Sequence, residues 1–161
     1  MKITSNITDV IRQLEQYRNT LEDKKRLFME ELAQIGIDVA NISYNTMLFD
    51  GDRDVTVEGP EWIDDNTLVI KSSGTDVLFM EFGTGAMFGE GHPQAEEFGY
   101  GPGTWSDNEA LGGKGHWDDP NGWYYEHGKK SWGNPPHMGM YDAGQKMRES
   151  IVEKAREVFG E

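Results

Sequence analysis

An apolar stripe at helical spacing, running as far as residue 42, limits the folds open to this chain. Its members recur mostly in steps of three and four residues, in two parts: Ile7, Val10, Leu14, Tyr17 and Leu21, then Phe28, Leu32, Ile35, Val39 and Ile42. Such steps place side chains on one face of an α-helix. The charged run 22–26 interrupts the stripe, and Thr20 with Asp23 could cap a new helix there. The sequence therefore predicts either two helices, near residues 6–18 and 21–48, or one long bent helix.

Two short β-strands are predicted after the helical part, each bounded by turn residues. The first is residues 55–57, closed by Gly59 and Pro60, and the second is residues 67–72. The pattern of residues 76–82 fits either a strand or a short helix. In the helical alternative Asp76 is the N-cap and Gly83 follows the last turn.

The stretch from residue 83 to residue 122 contains 11 glycines in 40 residues and has no sustained period. A loop of this length inside a compact domain is usually functional or mobile. Its glycines raise the entropy cost of ordering, so we expect residues 86–120 to be the most mobile part of the free protein. A strand over residues 122–126 is predicted to return the chain to the sheet, and apolar residues between Met140 and Val158 predict a C-terminal helix.

Together these elements predict one α+β domain over residues 1–161, with helices on one face of a small, mostly antiparallel sheet. Its parts are a long N-terminal helix or helix pair, the sheet, a long Gly- and Trp-rich loop at residues 83–122, and a C-terminal helix. The longest apolar run, residues 77–80, is too short to span a bilayer, and the first five residues lack the apolar core of a signal peptide. We therefore expect a soluble protein without a membrane partner.

Acidic residues outnumber basic ones by 29 to 15, which gives a net charge of −14. The excess is concentrated in residues 81–127, which hold 9 acids and 1 base. Binding nucleic acid through its phosphates requires clustered Lys and Arg, so this composition argues against it. Passage of DNA along an acidic wall remains compatible with the charge.

No pattern of catalytic or metal-binding residues is present in the sequence. Cysteine is absent, and the four histidines are 24, 11 and 10 residues apart: His92, His116, His127 and His137. Two metal ligands on one helix face would need a separation of three or four residues. No nucleophile-elbow motif occurs, and paired carboxylates mean little in so acidic a chain. The sequence predicts no catalytic residue, no cofactor and no metal.

Six aromatic residues lie within 28 residues of one another, amid glycines and acids: Trp105, Trp117, Trp123, Tyr124, Tyr125 and Trp132. Trp and Tyr are enriched in protein interfaces, and carbohydrate sites use such rings as well. The simplest interpretation is that they pin the long loop as a small satellite core. We favour core or interface over sugar binding.

The segment Glu81, Phe82, Gly83, Thr84 and Gly85, followed by Gly133, Pro135, Met140 and Tyr141, resembles the morphogenesis or tail-completion proteins of long-tailed phages and prophages. The resemblance covers most of the chain in order, from about residue 7 to residue 158, and includes the aromatic run Trp123, Tyr124 and Tyr125. In that family the segment before the motif is often a short helix, which favours a helix over residues 77–82. Where the family usually has Pro-Phe before the last helix, this chain has Met138 and Gly139, which puts the docking of that helix in question.

The resemblance implies a non-catalytic neck component that joins the head connector to the tail as a ring of about six copies around the DNA channel. Its partners would be further copies of itself, portal-side connector proteins and tail-tube proteins, with DNA only as passing cargo. Its location would be the virion, and the host cytoplasm during assembly. The alternatives are another capsid or tail accessory protein of a phage or mobile element, and a glycan-binding or hydrolytic domain.

The motif residues suit a corner of the fold rather than an active site. Gly83 after Phe82 fits a left-handed residue at the end of a turn. Thr84 is placed to satisfy nearby backbone groups, and Glu81 to tie the loop through its carboxylate. We therefore expect these residues to be structural.

Overall fold

The computed structural model describes residues 6–46, 54–99, 121–124 and 130–160. Its helices and strands, in chain order, are α1 (Ile7–Thr46), β1 (Thr56–Asp64), β2 (Thr67–Ser73), α2 (Val77–Phe82), β3 (Trp123–Tyr124), β4 (Lys130–Ser131) and α3 (Gly139–Phe159). A short 3-10 turn, Gly85–Met87, follows α2. A long N-terminal helix, a two-stranded antiparallel sheet and a C-terminal helix confirm the predicted α+β class, with α1 packed on both strands and α3 packed mainly on α1. No described helix is long and apolar enough to cross a membrane.

Helix α1 is continuous through the charged run, so the alternative of two helices is wrong. Its charges are used in contacts with the strand hairpin: Lys25 donates to the Asn66 side chain at 3.2 Å, and the Arg26 guanidinium lies 4.7 Å from the centre of the Trp62 ring. Thr20 does not cap a new helix, because its hydroxyl donates to the Gln16 carbonyl one turn earlier. The break in the apolar stripe is therefore a polar contact surface within a single helix.

Strands β1 and β2 form an antiparallel hairpin whose turn lies between Asp64 and Thr67. The second strand agrees with the prediction, but the first does not end at Gly59 and Pro60. The ladder shifts register between Glu58 and Glu61 and then resumes. Proline cannot donate to a ladder and is tolerated at such irregularities, so it interrupts the pairing without ending the strand.

Strand β3 does not return to the β1–β2 sheet, and that prediction is wrong. It pairs with β4 in a separate two-stranded antiparallel sheet, with Trp123 opposite Ser131 and Tyr124 opposite Lys130. Pairing with the next stretch of chain closes a short loop, which costs less entropy than reaching a distant strand. The fold therefore has two small sheets.

The main core lies where α1 and α3 pack antiparallel to each other. Gly36 faces the Met147 side chain, Gly139 faces the Tyr44 ring, and the rings of Phe28 and Phe159 are 5.7 Å apart. Small residues at these contacts allow the helix backbones to approach closely. The buried members of this core are Ala40, Tyr44, Met80 and Ala143.

The first part of the predicted loop is packed rather than open. Phe88 is fully buried and Ala95 is 5% exposed, and both pack with Phe82 in a second small core. Successive turns connect this part, with Ala95 N–H donating to the His92 carbonyl. Phe88, His92 and Ala95 are therefore anchored in the fold, while residues 96–99 are exposed. The mobility expected of residues 86–120 stays a prediction, and residues 100–120 lie outside the described part of the chain.

The N-terminal half of α1 extends past the end of α3. Phe159, the last residue of α3, lies beside Phe28 and lines an open cavity with Tyr17 and Leu21, so the turns of α1 before Tyr17 continue beyond it. The apolar stripe stays exposed there, with Ile7 at 75%, Leu14 at 62% and Tyr17 at 69%. At 1.5 Å per residue the whole helix is about 60 Å long.

Candidate functional site

Glu81, near the end of α2, joins three helices and the loop through one buried carboxylate. Its Oε2 accepts from the Tyr44 hydroxyl at 2.8 Å and from the Met140 amide at 2.9 Å. Its Oε1 accepts from the Tyr141 amide at 2.9 Å and lies 3.3 Å from Nε2 of His92. Each oxygen therefore has two partners. We call Glu81 with these four residues the Glu81 cluster.

The Glu81 carboxylate also caps α3. The first amides of a helix have no partner within the helix, and a carboxylate placed there is favoured by the helix dipole. The N-cap residue, Met138, provides no side-chain cap and has a left-handed backbone, with φ 55°. Glu81 instead satisfies two amides of the first turn from another element. The departure from the family's Pro-Phe therefore does not prevent α3 from docking.

His92 is buried, and its surroundings fix the position of its proton. Its Nδ1 accepts the Gln94 amide at 3.2 Å, so Nε2 is the nitrogen that donates to Glu81. Its ring centre is 4.3 Å from that of Phe82 and 5.5 Å from that of Tyr141. This histidine serves to position Glu81 and to fill the space beside it.

The buried Glu81 carboxylate disfavours further negative charge on the side chains of Tyr44 and Asp142. Burial, followed by the nearby Glu81 carboxylate, raises the pKa of the Tyr44 phenol far above its ordinary value, so the hydroxyl remains a donor. Desolvation, and then the same carboxylate, raises the pKa of Asp142, while His92 acts in the opposite direction. A second negative charge is therefore unfavourable at this corner.

Residues 83–86 run alongside residues 132–134 and close the corner. The Thr84 amide donates to the Asn134 carbonyl, and the Asn134 amide donates to the Thr84 hydroxyl, both at 2.9 Å. A Cβ on Gly133 would lie 1.7 Å from the Thr84 carbonyl oxygen, so a glycine is required there. Gly83 has the predicted positive φ of 78°, but its ψ of −172° is extended rather than left-handed helical.

Most of the motif residues predicted from the sequence meet at this corner: Glu81, Phe82, Gly83, Thr84, Gly85, Gly133, Met140 and Tyr141. Pro135 is exposed beside it. Trp123 and Tyr124 form β3, whose partner β4 leads into Gly133. Tyr125 lies outside the described residues. The helical alternative for residues 77–82 is confirmed, although Asp76 uses its carboxylate to accept the Asp54 amide rather than to cap α2.

The sequence did not identify two essential members of the cluster. Tyr44 looked like one more residue of the helical part, and His92 like a loop histidine in a stretch with no sustained helical or strand pattern. A buried carboxylate needs hydrogen-bond donors, and the side chains of Tyr and His can supply them. The separation along the sequence does not show which Tyr or His lies beside the carboxylate in the fold.

Within the described residues, no group of three or more His, Cys, Asp or Glu side chains is arranged to hold a metal ion. Comparison of the chain with protein-family models, with curated proteins and with solved structures finds no match.

The four hydrogen bonds of Glu81 use its carboxylate to hold elements together, which leaves little capacity for proton transfer to a substrate.

Proposed function

We propose that this chain is a structural, non-catalytic component of the head–tail junction of a long-tailed phage, which associates with itself into a ring and joins the head connector to the tail. The resemblance of residues 81–85 and of Gly133, Pro135, Met140 and Tyr141 to tail-completion proteins suggests this role. The observation that carries the proposal is the Glu81 cluster. The motif around Glu81 holds α1, α2, α3 and the loop in fixed positions relative to one another, as a structural protein requires.

The exposed apolar stripe on α1 supports a role in assembly. Large apolar side chains in a row on a free surface usually mark a contact with another protein. A ring of about six copies would give each copy two neighbours to cover such a surface. Connector proteins on the portal side and tail-tube proteins would contact its two ends.

The net charge of −14 suits a protein around a DNA channel. Acidic groups repel passing phosphates over about 8–10 Å at physiological salt, which keeps DNA from adhering. DNA is then cargo rather than a ligand. The protein would be found in the virion, and in the host cytoplasm during assembly.

Deletion of the gene from a phage or prophage that encodes this chain tests the proposal. The expected result is DNA-filled heads and finished tails that remain unjoined, with joining restored by the intact gene supplied in trans. Imaging of particles that carry a tagged copy should place the tag at the junction. Normal particles after deletion, a tag elsewhere on the particle, or tight binding of the purified chain to cell-wall glycan would contradict the proposal and favour one of the alternatives.

A further inference from the structure

The exposed half of α1 has the pattern of a helix that binds a partner. Between Ile7 and Leu21 five apolar residues recur in steps of three and four, the repeat that forms a narrow seam against another surface, and Ile11 adds an exposed apolar side chain beside them. All five members of this seam remain 44% to 75% exposed: Ile7, Val10, Leu14, Tyr17 and Leu21. We call residues 7–21 the α1 seam.

The charge near the seam differs from that of the rest of the chain. Residues 7–27 hold four acids and five bases, whereas the whole chain holds 29 acids and 15 bases. Arg12 and Arg18 are exposed beside the apolar side chains. A second copy of this acidic protein would be repelled by most of its surface, but much less by this segment.

A surface suited to bind the α1 seam lies at the other end of the molecule. Next to the Glu81 cluster is an open groove of about 320 Å³, lined mainly by apolar side chains that include Phe82, Phe98 and Tyr141. Phe98 is 56% exposed. The surrounding chain is acidic: residues 77–99 hold four glutamates and no Lys or Arg, and Glu97 accepts from Gln94, which lines the groove. We call this surface the Phe98 groove.

The seam of one molecule cannot reach the groove of the same molecule. The groove lies beside Tyr44, whose hydroxyl contacts Glu81, and Leu14 is 30 residues earlier on the same continuous helix. That separation is about 45 Å along the helix axis. A seam that occupies the groove must therefore belong to another molecule.

We propose that the α1 seam of one copy of this chain docks in the Phe98 groove of the next copy. The apolar side chains of the seam fill an apolar groove, and its flanking arginines face an acidic rim. Because the two surfaces differ, the contact is heterologous and repeats from copy to copy, closing into a ring when the rotation allows. The inference rests on the self-association in the proposed function and names the two surfaces that produce it.

A pair of apolar substitutions tests the seam. The variant Leu14→Asp with Tyr17→Asp should weaken self-association by at least about tenfold, measured by sedimentation over a series of concentrations. Ile63→Asp is the matched control, because Ile63 is also apolar and 67% exposed but lies on β1. Circular dichroism should show the main fold intact in both. Unchanged association of the seam variant, or an intact chain that is monomeric at every concentration reached, would overturn the inference.

Charge reversal tests whether the Phe98 groove is the surface that binds the α1 seam. Arg12→Glu with Arg18→Glu makes the seam acidic, and Glu97→Lys places a basic side chain beside Gln94 at the groove. Each variant alone should associate poorly, and an equal mixture should associate again, because each seam then meets a groove of opposite charge. If the groove variant associates normally by itself, the seam pairs with something other than this groove, such as the seam of a second copy, and the inference is wrong.

These outcomes are separable from the proposed function. A seam variant that still joins heads to tails and still forms a ring would leave the head–tail role standing while removing this contact. Rescue by charge reversal in a protein absent from the junction would keep the contact and remove the role.

Discussion

The Glu81 carboxylate is buried, which is rare for a charged side chain in a protein. Its residue is 6% exposed, and burial of a charged group is costly unless hydrogen bonds replace its lost water. Two backbone amides, a phenol and an imidazole take that place. The carboxylate is therefore stabilising only as long as all the pieces that donate to it are in position.

Replacing Glu81 with Gln should lower the free energy of unfolding by about 2–4 kcal/mol, because the amide group turns a donor toward amides that need an acceptor. Chemical denaturation of the purified variant measures this. Glu90→Gln is the control, since Glu90 is exposed, and it should change stability by less than about 0.5 kcal/mol. A Glu81→Gln protein as stable as the parent would show that the cluster contributes little.

Sequence reasoning identified Glu81 and Thr84 as ties between backbone segments, because a short motif of Gly, Thr and an acid is typical of a fold corner. It could not identify what they tie to. The partners of Glu81 are 37 residues earlier and 11, 59 and 60 residues later, and periodicity carries no information at such separations.

At the scale of elements, local pattern predicted the helices well and the strand pairing poorly. The spacing of apolar residues predicted where α1 and α3 run, but not which of their residues are buried. The buried residues of α1 are Ala33, Gly36, Ala40 and Tyr44, whereas Ile42 of the predicted stripe is 65% exposed. The pairing of β3 with β4, and the continuation of β1 past Pro60, depend on which neighbouring backbone is within reach. Such contacts leave no trace in the residues of one strand.

Gly144 and Gly133 should respond oppositely to substitution by alanine. Gly144 lies inside α3 with open space around its missing Cβ, so Gly144→Ala should stabilise the protein by about 0.5–1 kcal/mol. Gly133→Ala would place a Cβ against the Thr84 carbonyl at φ 102° and should destabilise by about 3 kcal/mol or more. Thermal unfolding of both variants provides the comparison. Equal effects would mean that the corner is not closed as described.

The Asp54 side chain, just before β1, accepts a hydrogen bond from Thr75, just before α2, and we expect this link to contribute less to stability at low pH. Asp54 accepts the Thr75 amide at 2.8 Å, and this hydrogen bond is the main cause that lowers the pKa of its carboxyl below 3.8. Its contribution to stability is therefore complete above pH 3.8 and is lost as the pH falls through the lowered value. Asp54→Ala should be less stable than the parent at neutral pH, and the difference should shrink in strong acid. Asp54→Asn, which keeps an acceptor oxygen, should lose less at neutral pH.

At the scale of the whole molecule, α1 belongs to two environments. From about residue 28 onward it packs on α3 and the hairpin, while residues 7–21 have mainly solvent around them. A helix without tertiary contacts is marginally stable in water. One continuous element therefore combines a half that is packed against other elements with a half that has few tertiary contacts.

Hydrogen exchange of the free protein should follow this division. We expect slow exchange at residues 28–42 and 143–158 and fast exchange at residues 7–16, with residues 86–95 slower than their glycine content suggests because Phe88 is buried. Raising the protein concentration should slow exchange at residues 7–21 as copies associate. Uniform protection along α1 at the lowest concentration would contradict the picture of an unpartnered half.

The wide spread of the Glu81 partners along the chain also bears on the order of folding. Before the start of α3 arrives, a buried Glu81 would lack two of its four donors, and that state would be less stable than one with the carboxylate in water. The packing of the hairpin on α1 can therefore form early, while the corner closes only when α3 arrives. A nascent chain still short of residue 141 would keep this motif open, so the corner closes only after the start of the last helix has been synthesised.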